Sequence, residues 1–127
     1  MTMFLSQKER KAYDSSCFYE FQFCRLPKST PVRKIVSVDS IEHWKDDSIY
    51  VSDDSDFYEV YSRIFTGGVY NNLQTGVVNT CGINYYSPEL TQTVIGRLQE
   101  EKPEEYEVLL RWLDKAKGFN GFYILGI

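Results

Sequence analysis

A single histidine, His43, and three cysteines, Cys17, Cys24 and Cys81, are all that this chain offers a soft metal, and no two cysteines stand at C-x-x-C spacing. A structural zinc site takes four ligands in closely spaced pairs, so no metal centre is expected. Cys17 and Cys24 fall in one predicted strand, which sets them roughly 23 Å apart on opposite faces. A disulfide needs Cα atoms within about 7 Å, so free buried thiols are expected. No apolar run approaches the roughly 20 residues that cross a bilayer. The apolar part of "MTMFLSQKERK" is too short for a signal-peptide core, so a cytoplasmic protein with no membrane partner is expected. The phosphate-cradling patterns GxxxxGK[ST] and GxGxxG are both absent. Charge itself is missing from one long stretch: between Arg63 and Arg97 the only charged residue is Glu89.

The 127 residues suit one domain, residues 1–127, large enough for a two-layer core. An apolar content of 43% with 16% aromatics excludes a disordered chain. Ten tyrosines and eight phenylalanines fit both sheet faces and contact surfaces. The net charge of −4 and a pI near 5.0 exclude nucleic acid as a general partner and favour a basic one.

Periodicity places the elements. Ser6 with Glu9 is a capping-box pattern opening a short helix in "QKERKAY". "CFYEFQFCRL", Cys17 to Leu26, alternates as a strand with Tyr19, Phe21 and Phe23 on a buried face and Glu20 and Gln22 on the other. "VRKIVSV", Val32 to Val38, reads as its antiparallel mate after the loop between Pro27 and Pro31. Ser40 caps one helical turn or a loop, and "SIYVS" is a short strand. Phe57, Val60, Tyr61, Ile64 and Phe65 make a helical stripe ended by Gly67. Ser87 and Pro88 open another helix with Leu90, Val94, Ile95 and Leu98 as its apolar face. Pro103 starts or kinks a further one, with Tyr106, Leu109, Leu110, Leu113 and Ala116 inward. "GFYILGI" reads as a strand buried on both faces. The expected class is α+β: a mainly antiparallel sheet with about three helices packed on it and a buried C-terminal strand.

The stretch from Phe65 to Tyr86, crowded with glycine and asparagine, is a hairpin with "VYN" and "VVN" as arms, an irregular loop, or a neutral contact surface using Tyr70, Asn71, Asn72, Asn84, Tyr85 and Tyr86. A Cys81–His43 dyad is conceivable, but no hydrolase signature flanks it. "DDSIYVSDDSD" lacks the glycine that a calcium loop needs at its sixth position. No catalytic residue, cofactor or metal ligand is therefore assigned.

Charge is unevenly spread. Asp39 to Glu59 carries eight acids against Lys45, whereas the first 34 residues carry seven bases against three acids. Helix-dipole tuning accounts for the acids nearest residue 56 but not for Asp46 and Asp47. Acids interleaved with aromatics, in "DDSIYVSDDSDFYEVY", suit a surface for a positively charged protein. In this character, and in its neutral Asn/Tyr stretch, the chain resembles the single-domain immunity proteins that bacteria make against toxin domains, as in contact-dependent and polymorphic-toxin systems. The resemblance implies a non-enzymatic inhibitor that occludes the basic active-site cleft of a cognate toxin, a nuclease by expectation. Its contact residues would be Asp46, Asp47, Tyr50, Asp53, Asp54, Tyr58, Glu59, Tyr70, Asn71 and Asn72. The alternatives are a small enzyme or ligand-binding domain with a pocket near Cys81 and residues 65–86, and a homodimer formed through an open strand edge.

Overall fold

Alternation along Phe18–Phe23 sends Tyr19, Phe21 and Phe23 to one side of a strand and Phe18, Glu20 and Gln22 to the other, and all six are buried. The sheet built around this strand is therefore covered on both faces. The computed structural model describes residues 3–13, 17–53 and 55–126. In chain order the elements are β1 (Phe4–Leu5), α1 (Gln7–Ala12), β2 (Phe18–Phe23), α2 (Val32–Ile35), β3 (Ile49–Ser52), α3 (Phe57–Tyr61), β4 (Gly68–Tyr70), β5 (Thr75–Gly76), β6 (Ile83–Tyr86), α4 (Pro88–Glu101), α5 (Tyr106–Ala116) and β7 (Phe122–Leu125). A 3-10 turn, Val38–Ser40, follows α2.

The strands form one antiparallel sheet in the order β1-β3-β2-β7-β6-β4-β5, and the fold is α+β. On one face α3, α4 and α5 bury Phe57, Tyr61, Val94, Leu98, Leu109 and Trp112 against Phe21, Val51, Phe122 and Ile124. Phe21 meets Phe4, Phe57, Phe65 and Trp112 edge-on, the arrangement that aromatic quadrupoles favour. The other face is covered by α1 and the chain between β2 and β3. There Ile35 and Val36 pack on Tyr85, Tyr123 and Leu125, while Leu5, Phe18 and Tyr50 form a separate cluster.

The stripes of α4 and α5, the capping box at Ser6, the Ser87 cap and the proline at the start of α4 stand as expected. Other expectations need correction. Val32 to Val38 is not a strand: Pro31 is the N-cap of α2, and Val32, Ile35 and Val36 follow helical spacing. The places beside β2 belong to β3 and β7. The expected solvent side of β2 is buried. Ser40 ends the 3-10 turn, whose cap is Ser37. Five α-helices form among the described residues rather than about three. The helix at Phe57 ends at Tyr61, with Ile64 and Phe65 buried in the turns that follow. Residues 68–76 are a hairpin, but its second arm is Thr75–Gly76 and not "VVN", and Asn84, Tyr85 and Tyr86 are buried in β6 rather than offered as a contact surface. No disulfide joins Cys17, Cys24 and Cys81; Cys24 is buried, Cys17 half-buried and Cys81 exposed, contrary to the expectation for the last.

β7 joins two halves. On one side lie β1, β3 and β2, on the other β6, β4 and β5, and β7 pairs with both β2 and β6. Gly121 admits it: its φ is +75°, and a Cβ there would stand 2.0 Å from the Tyr86 carbonyl oxygen. All four residues of β7 are buried. Deleting Gly121–Ile127 removes several large side chains worth about 2–5 kcal/mol each from a domain whose total stability is about 5–15 kcal/mol. The truncated chain should be unfolded by circular dichroism; a cooperative thermal transition would contradict the central role of β7.

Burial pushes the hydroxyl pKa of Tyr19, Tyr50, Tyr61, Tyr85, Tyr86 and Tyr123 above the ordinary value. The folded state holds these protons, while the unfolded chain releases them near pH 10. Stability is thus fully present below about pH 10 and falls as pH rises further. The urea midpoint should drop between about pH 8 and about pH 11, with buried tyrosinate absorbance appearing together with unfolding. Full tyrosine ionisation in a protein still folded would contradict this burial.

Candidate functional site

Glu20 and Gln22 leave β2 on the face opposite α3, α4 and α5, and the loop before β3 closes over them. Glu20 is 1% exposed. Its Oε1 accepts from the backbone N–H of Trp44 at 2.8 Å. Its Oε2 accepts from the Lys45 N–H at 3.0 Å, the Ser48 hydroxyl at 2.7 Å, Gln22 Nε2 at 3.0 Å and, more weakly, the Tyr50 hydroxyl at 3.4 Å. His43 Nδ1 lies 3.7 Å from Oε1. A buried carboxylate is tolerable only with such a set of donors, and here they fix loop 41–48 on the sheet. From the other side, Trp112 Nε1 donates to the Asp47 carbonyl at 2.9 Å.

Trp44 projects from this loop. It is 45% exposed and holds φ at +68°, a conformation that disfavours any side chain by about 1–2 kcal/mol. Gln7 Nε2 donates to its carbonyl at 2.8 Å. The Arg10 guanidinium sits 4.3 Å from its ring centroid, and the ring stacks on Tyr50 at 5.8 Å. Burial, and then the charge of Glu20, push the Tyr50 hydroxyl pKa up, so Tyr50 stays a neutral donor to the Lys45 carbonyl at 2.6 Å.

The segment from Val38 to His43 runs between two concavities. One, of about 230 Å³, is lined by Gln22, Arg25, Leu26, Asp39, Ser40, Glu42, Lys45 and Tyr123. The other, of about 170 Å³, is more apolar and is lined by Val38, Ile41, His43, Gly82, Ile83, Leu125 and Gly126. At the first, Arg25 pairs with Asp47, and Lys45 pairs with Glu42 at 3.1 Å. Asp39 has no ion-pair partner among the described residues.

The expected contact residues are only partly brought together. Asp46 and Asp47 are exposed on the loop before β3; Asp46 shares a shallow depression with Lys8 and Lys11, which offsets its charge. Asp53, Tyr58 and Glu59 are exposed beyond the far end of β3, roughly 20 Å along the strand from Asp47. Asp54 lies outside the described residues. Tyr50 is 0% exposed, so the expected surface anchor is instead a support beneath Trp44. Tyr70, Asn71 and Asn72 belong to the hairpin at the opposite side of the sheet, four strand spacings or roughly 19 Å from β3. The Tyr70 hydroxyl donates to the Val77 carbonyl, Asn71 Nδ2 to the Val36 carbonyl at 3.1 Å, and Asn72 Oδ1 accepts from the Gln74 N–H.

No Cys81–His43 dyad is assembled. The Cys81 Sγ lies 4.0 Å from the Thr80 hydroxyl, while His43 Nδ1 faces Glu20. No cluster of three metal-ligating side chains occurs among the described residues, and no helix among them is long and apolar enough to cross a membrane. Glu20, Gln22, Arg25, Asp39, Glu42 and Trp44 were absent from the expected contact set. The signal for the first two was a pair of polar residues inside an otherwise aromatic strand. Compared with protein-family models, curated proteins and solved structures, the chain matches none.

Glu20→Gln keeps the shape but supplies an amide where donors converge, so at least two bonds to a charged acceptor are lost. The expected effect is about 3 kcal/mol of stability, read from the urea midpoint at unchanged slope. Amide exchange at Trp44 and Lys45 should rise with it. A variant as stable as wild type would show that Glu20 does not hold the loop.

Proposed function

We propose that the protein is a non-enzymatic inhibitor of the immunity type, which acts in the cytoplasm by binding a basic toxin domain, a nuclease in the simplest case, and covering its active-site cleft. The observation that carries this reading is the loop fixed by Glu20. It carries the exposed Glu42, Asp46 and Asp47, follows the turn that holds Asp39, and sets the half-exposed Trp44 among them. A pre-fixed aromatic residue among exposed carboxylates suits a basic partner, because interface energy concentrates in a few rigid anchors and charge complementarity selects the partner. Asp53, Tyr58 and Glu59 form a second acidic group that an extended cleft would reach.

The test uses the partner co-purified from the source cell and its binding kinetics with Glu42→Gln/Asp46→Asn/Asp47→Asn. This variant should associate about ten-fold more slowly at low salt. Its stability should shift by no more than about 0.5 kcal/mol, since these are surface positions. Wild-type association should slow as salt rises, because exposed charges are screened beyond about 8 Å at physiological ionic strength. An acidic partner, or unchanged rates in the variant, would sink the reading.

A further inference from the structure

Gln22 has a polar atom that its own protein does not use. The side chain is 4% exposed, and its Nε2 donates to Glu20 Oε2 at 3.0 Å and to the Glu42 carbonyl at 2.7 Å. Both partners are acceptors, so the amide has one orientation: its nitrogen must face them, and Oε1 must point away. Among the described residues nothing donates to Oε1, and Oε1 is not sealed from solvent. Gln22 lines the concavity of about 230 Å³, many times the roughly 10–15 Å³ that one water occupies by such a measure. Oε1 is therefore an acceptor presented to that concavity.

The charge around it selects the occupant. Donation to the buried Glu20 carboxylate polarises the Gln22 amide and makes Oε1 a stronger acceptor. Arg25 and Lys45 would attract an anion, but Asp47 and Glu42 already pair with them. Asp39 lines the same space without an ion-pair partner among the described residues. An acceptor in the lining and an unpaired carboxylate beside it call for a cationic N–H donor. Leu26 and Tyr123 supply apolar wall for an aliphatic stem, as lysine and arginine side chains require.

We propose that the concavity over Gln22 is a receptor for one arginine or lysine side chain of the basic partner, with Gln22 Oε1 and Asp39 as its acceptors. This rests on the partner reading above, and it adds a specific anchoring point to a charged surface. The probe is Nα-acetylarginine methylamide, with its lysine counterpart, the uncharged citrulline analogue and acetylglutamate methylamide as comparisons, followed by NMR of the Gln22 side-chain amide. Both cations should shift that resonance saturably, with dissociation constants on the order of 1 mM. Citrulline should bind at least about ten-fold more weakly, the anion should leave the resonance unmoved, and Asp39→Asn should weaken the cations by about ten-fold, whereas Asp53→Asn should change nothing. Equal shifts from citrulline, saturation by the anion, or no saturable shift at Gln22 would overturn the proposal. If the partner's association responds to the loop charges while the arginine derivative leaves Gln22 unmoved, the receptor proposal fails and the inhibitor reading stands. If the derivative saturates the site and no basic partner is recovered, the receptor stands and the inhibitor reading fails.

Discussion

One buried carboxylate organises the half of the molecule that lacks regular structure. Without partners, a charge as enclosed as Glu20 would be strongly disfavoured, and its neighbours are arranged to prevent that. Two backbone amides, a serine hydroxyl, a tyrosine hydroxyl and a glutamine amide converge on two oxygens. These donors come from the loop, from β3 and from β2 itself, so the ion joins strand to loop where apolar packing is thin. The helical face needs no such device, because its aromatic cluster supplies area enough.

The consequence is a surface loop with core-like fixity. Trp44 holds a backbone conformation unsuited to its bulk, and Leu73, another exposed apolar residue, does the same at φ +71° in the hairpin. Strain of this kind persists only where surrounding contacts over-determine it. For Trp44 those contacts are identifiable: Glu20 on its amide, Gln7 on its carbonyl, Arg10 and Tyr50 near its ring. Association with such a loop would lose little conformational freedom.

How much of this was legible follows from what periodicity encodes. The stripes of α4 and α5 repeat over enough turns to be unmistakable, and Ser87-Pro88 marks a start by its own chemistry. β7 was legible because four apolar residues in sequence, near glycines, fit only a strand enclosed on both sides. Alternation in β2 correctly divided its residues between two faces, but a period says nothing about what will cover each face. Glu20 and Gln22 therefore read as solvent-facing, when a segment twenty residues later closes over them. The same non-locality hid the concavity, whose lining comes from β2, the 3-10 turn, the following loop and β7. In Val32 to Val38, Val32 on one side of Arg33 and Lys34 and Ile35-Val36 on the other were too few to separate a helical turn from a strand. Tyrosine is ambiguous between core and contact, and Tyr50 went to the core.

The position of β7 also sets an order of events during folding. Its partner Glu20↔Leu125 links residues more than a hundred positions apart, whereas the pairings within β1-β3-β2 and within β6-β4-β5 close much shorter loops. Short loops close first, and β6 with β7 closes a loop no longer than β1 with β3, so the seam between β2 and β7 forms last. Until it does, β2 and β7 each offer an unsatisfied row of backbone donors and acceptors. During that interval the β7 edge of another molecule satisfies β2 equally well, so strand exchange between nascent chains is the characteristic hazard of this topology, and it grows with concentration.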